Sequence, residues 1–305
     1  MKRRDFLRTL CAISSIGLIP TLGFAKNRTI NIQGDTQHRY RRARQWGYNQ
    51  EIEGDLNNQE EDIDNQDENL KILIPLYSYP NWQDEDSYIW QKVIDIKNSY
   101  SDAEIVAIVN PDNGHFREEN SDFSKGIQDL VDAGIKVVGY VYTSYGDRET
   151  QEVVDDIEAW SNIYKDDGVS GIFFDETSTD SSYLTYYSDL SNEARSRELD
   201  FVILNPGMTT DQEYIDSNIA NIVISYENSN EELLEEPPNS YNEPTQTTKL
   251  ALLIYQMDDD NVDDLISFAR EHQFEYIYFT EDGFDGNPWD SVSEYLEDEV
   301  VKALS

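Results

Sequence analysis

Two acidic side chains stand out because each directly follows a run of apolar, strand-forming residues. Asp175 follows residues 171–174, and Glu227 follows residues 222–226. A carboxylate at such a position is costly to bury unless it is paired or functional, so these two rank above the surface acids. Two carboxylates on either side of the scissile bond are the usual catalytic groups of glycoside hydrolases. We expect Asp175 to act as nucleophile and Glu227 as acid/base, or the reverse, with Glu176 in support.

Aromatic and amide side chains gather at the same ends of the apolar runs. Tyrosine rings can stack on sugar faces while their hydroxyls bond the rims, and asparagine amides can bond sugar hydroxyls. The alternative roles are core packing for the tyrosines and turn formation for the asparagines. The predicted substrate-binding residues are Tyr77, Tyr79, Asn110, Tyr142, Tyr145, Asn205 and Tyr255.

The elements that must position these residues begin at residue 70. Apolar runs rich in Val, Ile, Tyr and Phe recur at roughly regular intervals and predict eight strands, at residues 72–77, 104–110, 136–143, 171–175, 201–205, 221–226, 250–255 and 276–280. Helical patterns predict helices at 88–97, 122–133, 150–164, 183–197, 211–218, 262–272 and 289–304. Residues 227–249 contain Pro237-Pro238 and predict a long loop with at most a short helix.

Alternation of continuously apolar strands with helices indicates a parallel sheet buried on both faces. Eight such units over residues 70–305 predict a single-domain α/β fold, the (β/α)8 TIM barrel, with a doubly wound open sheet as the alternative. Active-site groups of such barrels lie at the C-terminal ends of the strands. Because strands four and six have the same parity, we expect Asp175 and Glu227 to project into one layer of the barrel mouth, several ångströms apart.

Composition excludes some classes of protein. The chain has 62 acidic and 23 basic residues and a formal charge of -39, which argues against nucleic-acid binding. A hydrophobic fraction of 38% and an aromatic fraction of 12% are sufficient for a folded core. The acids are spread along the chain, which predicts a halophilic protein whose self-repulsion is screened at molar salt. A very soluble protein from an ordinary habitat is the alternative.

The first residues predict an export signal. Arg3-Arg4 within a basic start, an uncharged stretch over residues 10–22 and the sequence Gly23-Phe24-Ala25 resemble a twin-arginine signal peptide over residues 1–25. We therefore expect a secreted or cell-surface protein without a membrane span in the mature chain. An uncleaved N-terminal anchor is the alternative. Cleavage would remove Cys11, the single cysteine, and with it any disulfide chemistry.

Residues 26–69 predict a disordered acidic spacer, because few apolar residues recur there at either period. A tail that binds acidic glycan through the arginines of residues 39–44 is the alternative. No cofactor or metal is expected: the three histidines lie far apart in the sequence, and Asp258-Asp259-Asp260 lacks the spacing of a calcium loop. We expect a monomer whose partner is an extracellular polysaccharide.

Five motifs then occur in the order found in a known family. They are Pro-Leu-Tyr-Ser-Tyr-Pro at 75–80, Val-Asn-Pro-Asp-Asn-Gly at 109–114, Gly-Tyr-Val-Tyr-Thr-Ser-Tyr-Gly at 139–146, Gly-Ile-Phe-Phe-Asp-Glu at 171–176 and Leu-Asn-Pro-Gly at 204–207. Through them the chain resembles the spherulin 4-like cell-surface proteins. That family is related to (β/α)8 glycoside hydrolases that cut α-1,4-linked galactosamine polymers of microbial biofilms, of the galactosaminogalactan type.

The resemblance implies endo-hydrolysis of an amino-sugar polymer, like that of an α-1,4-N-acetylgalactosaminidase. The acidic pair that follows strand four in the family falls on Asp175 and Glu176, and its acid after strand six falls on Glu227. The motifs identify the scaffold better than the substrate, since residues 228–248 are acidic and particular to this chain. A non-catalytic glycan-binding or envelope protein, or another hydrolytic chemistry on the same barrel, is the alternative.

Overall fold

The computed structural model describes residues 69–84, 88–241, 247–258, 261–283 and 286–305. The predicted export signal and all but the last residue of the predicted spacer lie outside these ranges. Among the helices in the described ranges, none combines the length and the apolar character needed to cross a membrane.

Eight parallel strands form a closed barrel in which each strand pairs with the next and the last pairs with the first. The strands are β1 (Lys71–Leu76), β2 (Ile105–Val109), β3 (Lys136–Tyr142), β4 (Val169–Asp175), β5 (Phe201–Leu204), β6 (Ile222–Ser229), β7 (Lys249–Tyr255) and β8 (Tyr276–Phe279). The predicted (β/α)8 barrel is confirmed. The open-sheet alternative is wrong, because β8 closes onto β1.

Helices follow the strands and pack around the barrel. They are α1 (Trp90–Ser99), α2 (Ser121–Asp132), α3 (Thr150–Ile163), α4 (Leu184–Ser196), α5 (Glu213–Asp216), α6 (Asn230–Glu235), α7 (Val262–Glu271) and α8 (Leu296–Ala303). Short 3-10 turns lie at Pro111–Gly114, Ser144–Gly146 and Ser181–Tyr183.

The core explains the continuous apolar runs, since the strands are buried on the barrel side and on the helix side. All five residues of β2 are buried. Trp160 of α3 lies against Gly139 of β3, where a Cβ would stand 2.3 Å from the indole ring. The indole N–H of Trp160 donates to the Tyr140 carbonyl at 3.0 Å. Only glycine at position 139 therefore lets this helix approach the strand.

Two predicted helices are shorter than expected. The helix predicted at 289–304 begins at Leu296, because side-chain oxygens of Asn287 and Ser293 take the N–H groups of Trp289 and Tyr295. The helix predicted at 211–218 is reduced to α5 (Glu213–Asp216) and is followed by a left-handed residue at 218, with a φ of 54°.

Strand six is longer than predicted and contains a bulge. It runs to Ser229 instead of ending at Tyr226, and the register against β7 shifts between Ile224 and Tyr226. Ile224 pairs with Ala251 and Glu227 pairs with Leu253, two positions further along β7. Paired residues of neighbouring strands point to the same side, and side chains alternate with a period of two. The bulge therefore places Glu227 on the same face as Ile224.

Candidate active site

Four side chains from successive strands meet at the C-terminal mouth of the barrel. Tyr140 lies on β3, Asp175 ends β4, Asn205 follows β5 and Glu227 lies near the end of β6. The backbone N–H of Asn205 donates to the Phe174 carbonyl at 2.9 Å, which continues the β4–β5 pairing by one residue. The strand register thus brings the two predicted carboxylates together, with the amide of Asn205 between them.

Asn205 bridges the two carboxylates through one nitrogen. Its Nδ2 lies 2.9 Å from Asp175 Oδ1 and 2.6 Å from Glu227 Oε2, so these two oxygens are at most 5.5 Å apart, the sum of the two distances. The Gly207 N–H donates to Asn205 Oδ1 at 3.0 Å, which fixes the amide with its NH₂ group toward the acids. The positive φ of Gly207, 68°, forms this turn.

A second donor holds each carboxylate from the other side. The Tyr140 hydroxyl donates to Asp175 Oδ2 at 2.7 Å. The indole N–H of Trp289 donates to Glu227 Oε1 at 2.9 Å. Four donor contacts therefore orient the pair before any substrate binds, which is the preorganisation that electrostatic catalysis needs.

The environment favours retention of a proton on Glu227. Burial, and after it the charge of Asp175, raise its pKa to about 7 against the opposing hydrogen bonds from Asn205 and Trp289. Burial also raises the pKa of Asp175, against hydrogen bonds from Tyr140, from the Glu176 backbone and from Asn205. Glu227, which keeps its proton, can therefore serve as the proton donor. Asp175, which accepts three hydrogen bonds, can serve as the nucleophile.

Glu176 lies beside the pair but outside the Asn205 bridge. Its φ of 52° turns the chain away from β4, and its carbonyl accepts the Tyr145 N–H at 2.6 Å. Burial and the charge of Asp175 raise the pKa of the Glu176 carboxyl, while two hydrogen bonds from Ser144 and the charge of Arg148 lower it. Ser144 and Tyr145 are also left-handed, with φ of 48° and 57°. Such strained residues persist where the surrounding structure holds them, commonly at functional sites.

Tyr77 belongs to the carboxylate site. Its ring contacts the Tyr140 ring edge-on, with centroids 5.6 Å apart. Burial raises the pKa of the Tyr77 hydroxyl well above its usual value, and the charges of Asp175 and Glu227 add to the effect. Tyr77 therefore lies close to both acids.

Tyr142 and Tyr145 lie on the side of Glu176. The Arg148 guanidinium lies 4.0 Å from the centroid of the Tyr142 ring and donates to the Tyr142 carbonyl at 2.7 Å. Tyr145 is 45% exposed, and burial together with the charge of Glu176 raises the pKa of its hydroxyl to about 12. The charges of Asp175 and Glu227 add to the rise at Tyr145, so this ring also lies near the acid pair.

Of the remaining predicted residues, Tyr255 adjoins the site through Trp289, whereas Asn110 and Tyr79 follow β2 and β1. The Tyr255 hydroxyl donates to Asn228 at 2.9 Å, and the Tyr255 ring contacts Trp289 edge-on at 6.2 Å. Asn110 follows β2, and its Oδ1 is buried without a hydrogen-bond partner among the described residues. Tyr79 is directed toward the start of α2, where its hydroxyl bonds Asp122 at 2.5 Å.

Two residues outside the predicted set complete the site. Tyr140 lies two positions before Tyr142 on the same strand face, so the strand period of two predicts that it points to the same side. No sequence pattern indicates Trp289, because it lies 62 positions from its partner Glu227 and within a segment whose pattern predicts a helix.

Fold and site together define a (β/α)8 barrel with a bridged carboxylate pair at its C-terminal mouth. Residues 71–303 match the model of the spherulation-specific family 4, and the chain belongs to that family.

Two known proteins show the extent of the similarity. Over 157 residues the chain is 37% identical to Spherulin-4 of Physarum polycephalum, an alignment that covers 50% of this chain and 44% of that protein. The chain therefore spans less than half the length of this curated relative. The crystal structure of Aspergillus clavatus Sph3 in complex with GalNAc superposes with a TM-score of 0.69 at 22% identity, covering 78% of this chain and 98% of that one.

Proposed function

We propose that the protein is a glycoside hydrolase that cleaves an extracellular or biofilm polysaccharide by an endo-acting, two-carboxylate mechanism. The observation that carries the proposal is the pair of oxygens on Asp175 and Glu227, both bonded to Asn205 and within about 5.5 Å of each other. Retaining glycosidases place their carboxyl groups about 5–5.5 Å apart, and inverting enzymes about 6.5–9.5 Å. We therefore propose a retaining mechanism, since the upper limit of 5.5 Å on this oxygen pair lies below the inverting range.

In this mechanism Asp175 attacks the anomeric carbon while Glu227 gives its proton to the departing glycosidic oxygen. The C–O bond to the leaving sugar breaks, and a covalent glycosyl ester forms on Asp175. Glu227, now ionised, takes a proton from water, the water oxygen attacks the anomeric carbon, and the Asp175 carboxylate departs. The raised pKa of Glu227 supports its assignment as the acid, and the donors around Asp175 support its assignment as nucleophile.

The substrate that we favour is a galactosamine-type polymer. The likeness to Sph3, solved in complex with GalNAc, supports this choice. From residue 71 onward the chain has 51 acidic and 13 basic residues, and such a surface attracts a partly deacetylated, cationic amino-sugar polymer and repels uronic-acid polymers. Tyr77, Tyr142 and Tyr145, which are partly or largely exposed, would contact sugar rings.

The decisive experiment is a panel of polysaccharides assayed for new reducing ends at molar salt. The wild-type protein should release reducing ends from an α-1,4-galactosamine polymer, and Asp175→Asn and Glu227→Gln should each lose that activity. Asp155→Asn, at an exposed position of α3, is the matched control and should retain it. Wild-type activity in both carboxylate variants would overturn the mechanism. Polysaccharide binding without new reducing ends would support a non-catalytic glycan-binding or envelope protein instead.

Secretion or display at the cell surface through the twin-arginine route is part of the proposal and rests on residues 1–25. Replacing Arg3-Arg4 by two lysines should leave the protein inside the producing cell, as followed by fractionation. Unchanged export of that variant would exclude this route.

A further inference from the structure

Two large aromatic side chains are exposed on the loop between β1 and α1. Tyr79 is 50% exposed and Trp82 is 38% exposed. Neighbouring exposed aromatic rings on a soluble protein mark interaction surfaces more often than isolated apolar residues do. Neither ring takes part in the contacts of the carboxylate pair.

One carboxylate holds the polar edges of both rings. The Tyr79 hydroxyl donates to Asp122 Oδ2 at 2.5 Å, and the Trp82 indole N–H donates to Asp122 Oδ1 at 3.1 Å. Asp122 itself lies in the first turn of α2, where its N–H donates to the N-cap side chain of Asn120 at 2.9 Å. The Tyr79 ring also contacts Phe123 of α2 edge-on, with centroids 5.5 Å apart. The two rings are therefore oriented in advance, and binding loses little side-chain entropy.

This pair of rings lies on the catalytic face of the barrel. The helix α2 follows β2 and begins at the C-terminal side of the strands, where the carboxylate site also lies. The loop leaves β1 directly after Tyr77, whose ring adjoins the site. The reach of the chain limits the Trp82 Cα to within about 18 Å of the Tyr77 Cα, a span of a few sugar units.

The chemistry of the exposed Tyr79 and Trp82 rings indicates which class of ligand they bind. Both polar ring atoms already bond Asp122, so the exposed faces offer apolar, electron-rich surface to the C–H groups of a sugar ring. Lys125, whose Nζ lies 5.9 Å from the Trp82 ring centroid, is ion-paired with Asp129. Asp122 adds negative charge at the edge of the rings. Neutral and amino sugars fit this surface, whereas uronic acids would be repelled.

We propose that Tyr79 and Trp82 form an accessory glycan-binding platform, which stacks sugar units of a polysaccharide whose reacting unit occupies the carboxylate site. The platform takes an extended neutral or amino-sugar chain and makes no contact with a monosaccharide held between Asp175 and Glu227. This inference rests on the proposed function, since it assigns part of the same substrate to a second place on the barrel.

The test measures binding in a Glu227→Gln background, in which cleavage is disabled. The probe is a soluble, partly deacetylated α-1,4-galactosamine polymer, titrated at molar salt. Trp82→Ala should weaken polymer binding about tenfold, the expected scale of one lost aromatic contact. Trp82→Phe, which keeps an aromatic face, should restore most of the affinity. Val301→Ala is the control, because Val301 is also an exposed apolar side chain, 43% exposed, but lies near the C-terminal end of α8, away from the C-terminal ends of the strands.

A kinetic test in the otherwise unmodified protein distinguishes the platform from a structural role of Trp82. The KM of Trp82→Ala should rise about tenfold on the polymer, and the defect should grow with substrate length across an oligosaccharide series. Equal polymer affinities of Trp82→Ala and the background, or a defect independent of length, would overturn the platform alone. A wild-type protein that neither binds nor cleaves any polymer would overturn both proposals.

Discussion

Asp175 raises the pKa of Glu227, although the two residues lie on β4 and β6 with β5 between them. The amide of Asn205, at the end of the intervening strand, donates to both and keeps them close. Two coupled carboxylates in a site of low polarity lose their protons in two separate steps. Near neutral pH the pair therefore retains one proton, as a hydrolase needs when one acid donates and the other attacks.

The pH dependence of hydrolysis should follow from this pair. Above pH 7, kcat/KM should fall, because Glu227, whose pKa is raised to about 7, loses the proton that the leaving oxygen requires. At low pH, kcat/KM should fall again as Asp175 becomes protonated. The measurement is kcat/KM against pH at constant molar ionic strength. A rate maintained to pH 9 would exclude Glu227 as the general acid.

Substrates with different leaving groups should separate the two roles. Glu227→Gln should lose about 10²–10⁴-fold in rate on the polymer, the usual contribution of general acid catalysis. It should lose far less on a glycosyl fluoride, whose leaving group needs no proton. Asp175→Asn should be equally defective on both substrates, because it lacks the nucleophile. The reverse pattern would exchange the two assignments.

Loss of the bridging amide should shift the pH profile upward. The hydrogen bond from Asn205 lowers the pKa of Glu227, so Asn205→Ala should move the alkaline limb to higher pH. Its kcat should also fall, by roughly 10–100-fold, since both acids lose an orienting donor. Asn239→Ala, at an exposed position, serves as the control. An unchanged alkaline limb in Asn205→Ala would show that the bridge does not set the proton affinity.

A buried acid away from the mouth should make stability depend on pH. Glu299 of α8 is 0% exposed, its Oε2 accepts the Phe279 N–H at 3.1 Å, and its Oε1 has no partner among the described residues. Burial raises its pKa well above the ordinary value. The folded protein then binds a proton that the unfolded chain releases near pH 4.5, so the free energy of unfolding should fall as pH rises above that value.

Glu299→Gln mimics the protonated acid and should remove this loss. At pH 8 its free energy of unfolding should exceed that of the wild type by roughly 1–3 kcal/mol, with little difference at pH 4. Denaturant titrations at the two pH values measure the change. Glu297→Gln, at an exposed position of the same helix, should leave the pH dependence between pH 4 and pH 8 unaltered. Parallel pH profiles for wild type and Glu299→Gln would contradict the assignment.

Salt should stabilise the barrel if the acidic surface reflects a halophilic habitat. The 51 acidic and 13 basic residues from position 71 onward repel one another in dilute buffer, and at about 1 M salt the screening length shrinks to roughly 3 Å. The Tm should rise steeply between 0.1 and 2 M NaCl. Sucrose at matched osmolality controls for general solute effects. A Tm independent of salt would favour the ordinary, highly soluble alternative.

The sequence is sufficient to predict the strand order and the location of the two acids. Strands buried on both faces must be apolar throughout, and a parallel barrel needs eight of them separated by helices, so the pattern of apolar runs was sufficient. A carboxylate at the end of such a run is conspicuous against the apolar background, even in a chain with 62 acids. Asp175 and Glu227 were found in this way.

Tertiary structure decided which way Glu227 points and what it contacts. Simple alternation from Ile224 would have placed Tyr226 inside the barrel and Glu227 outside. The bulge reverses this, and it is defined only by the register against β7. Trp289 reaches Glu227 from 62 positions away. Local sequence determines where a strand forms, because burial and propensity act on neighbouring residues. The direction of a side chain and its hydrogen-bond donors depend on contacts between distant segments, which only the closed barrel brings together.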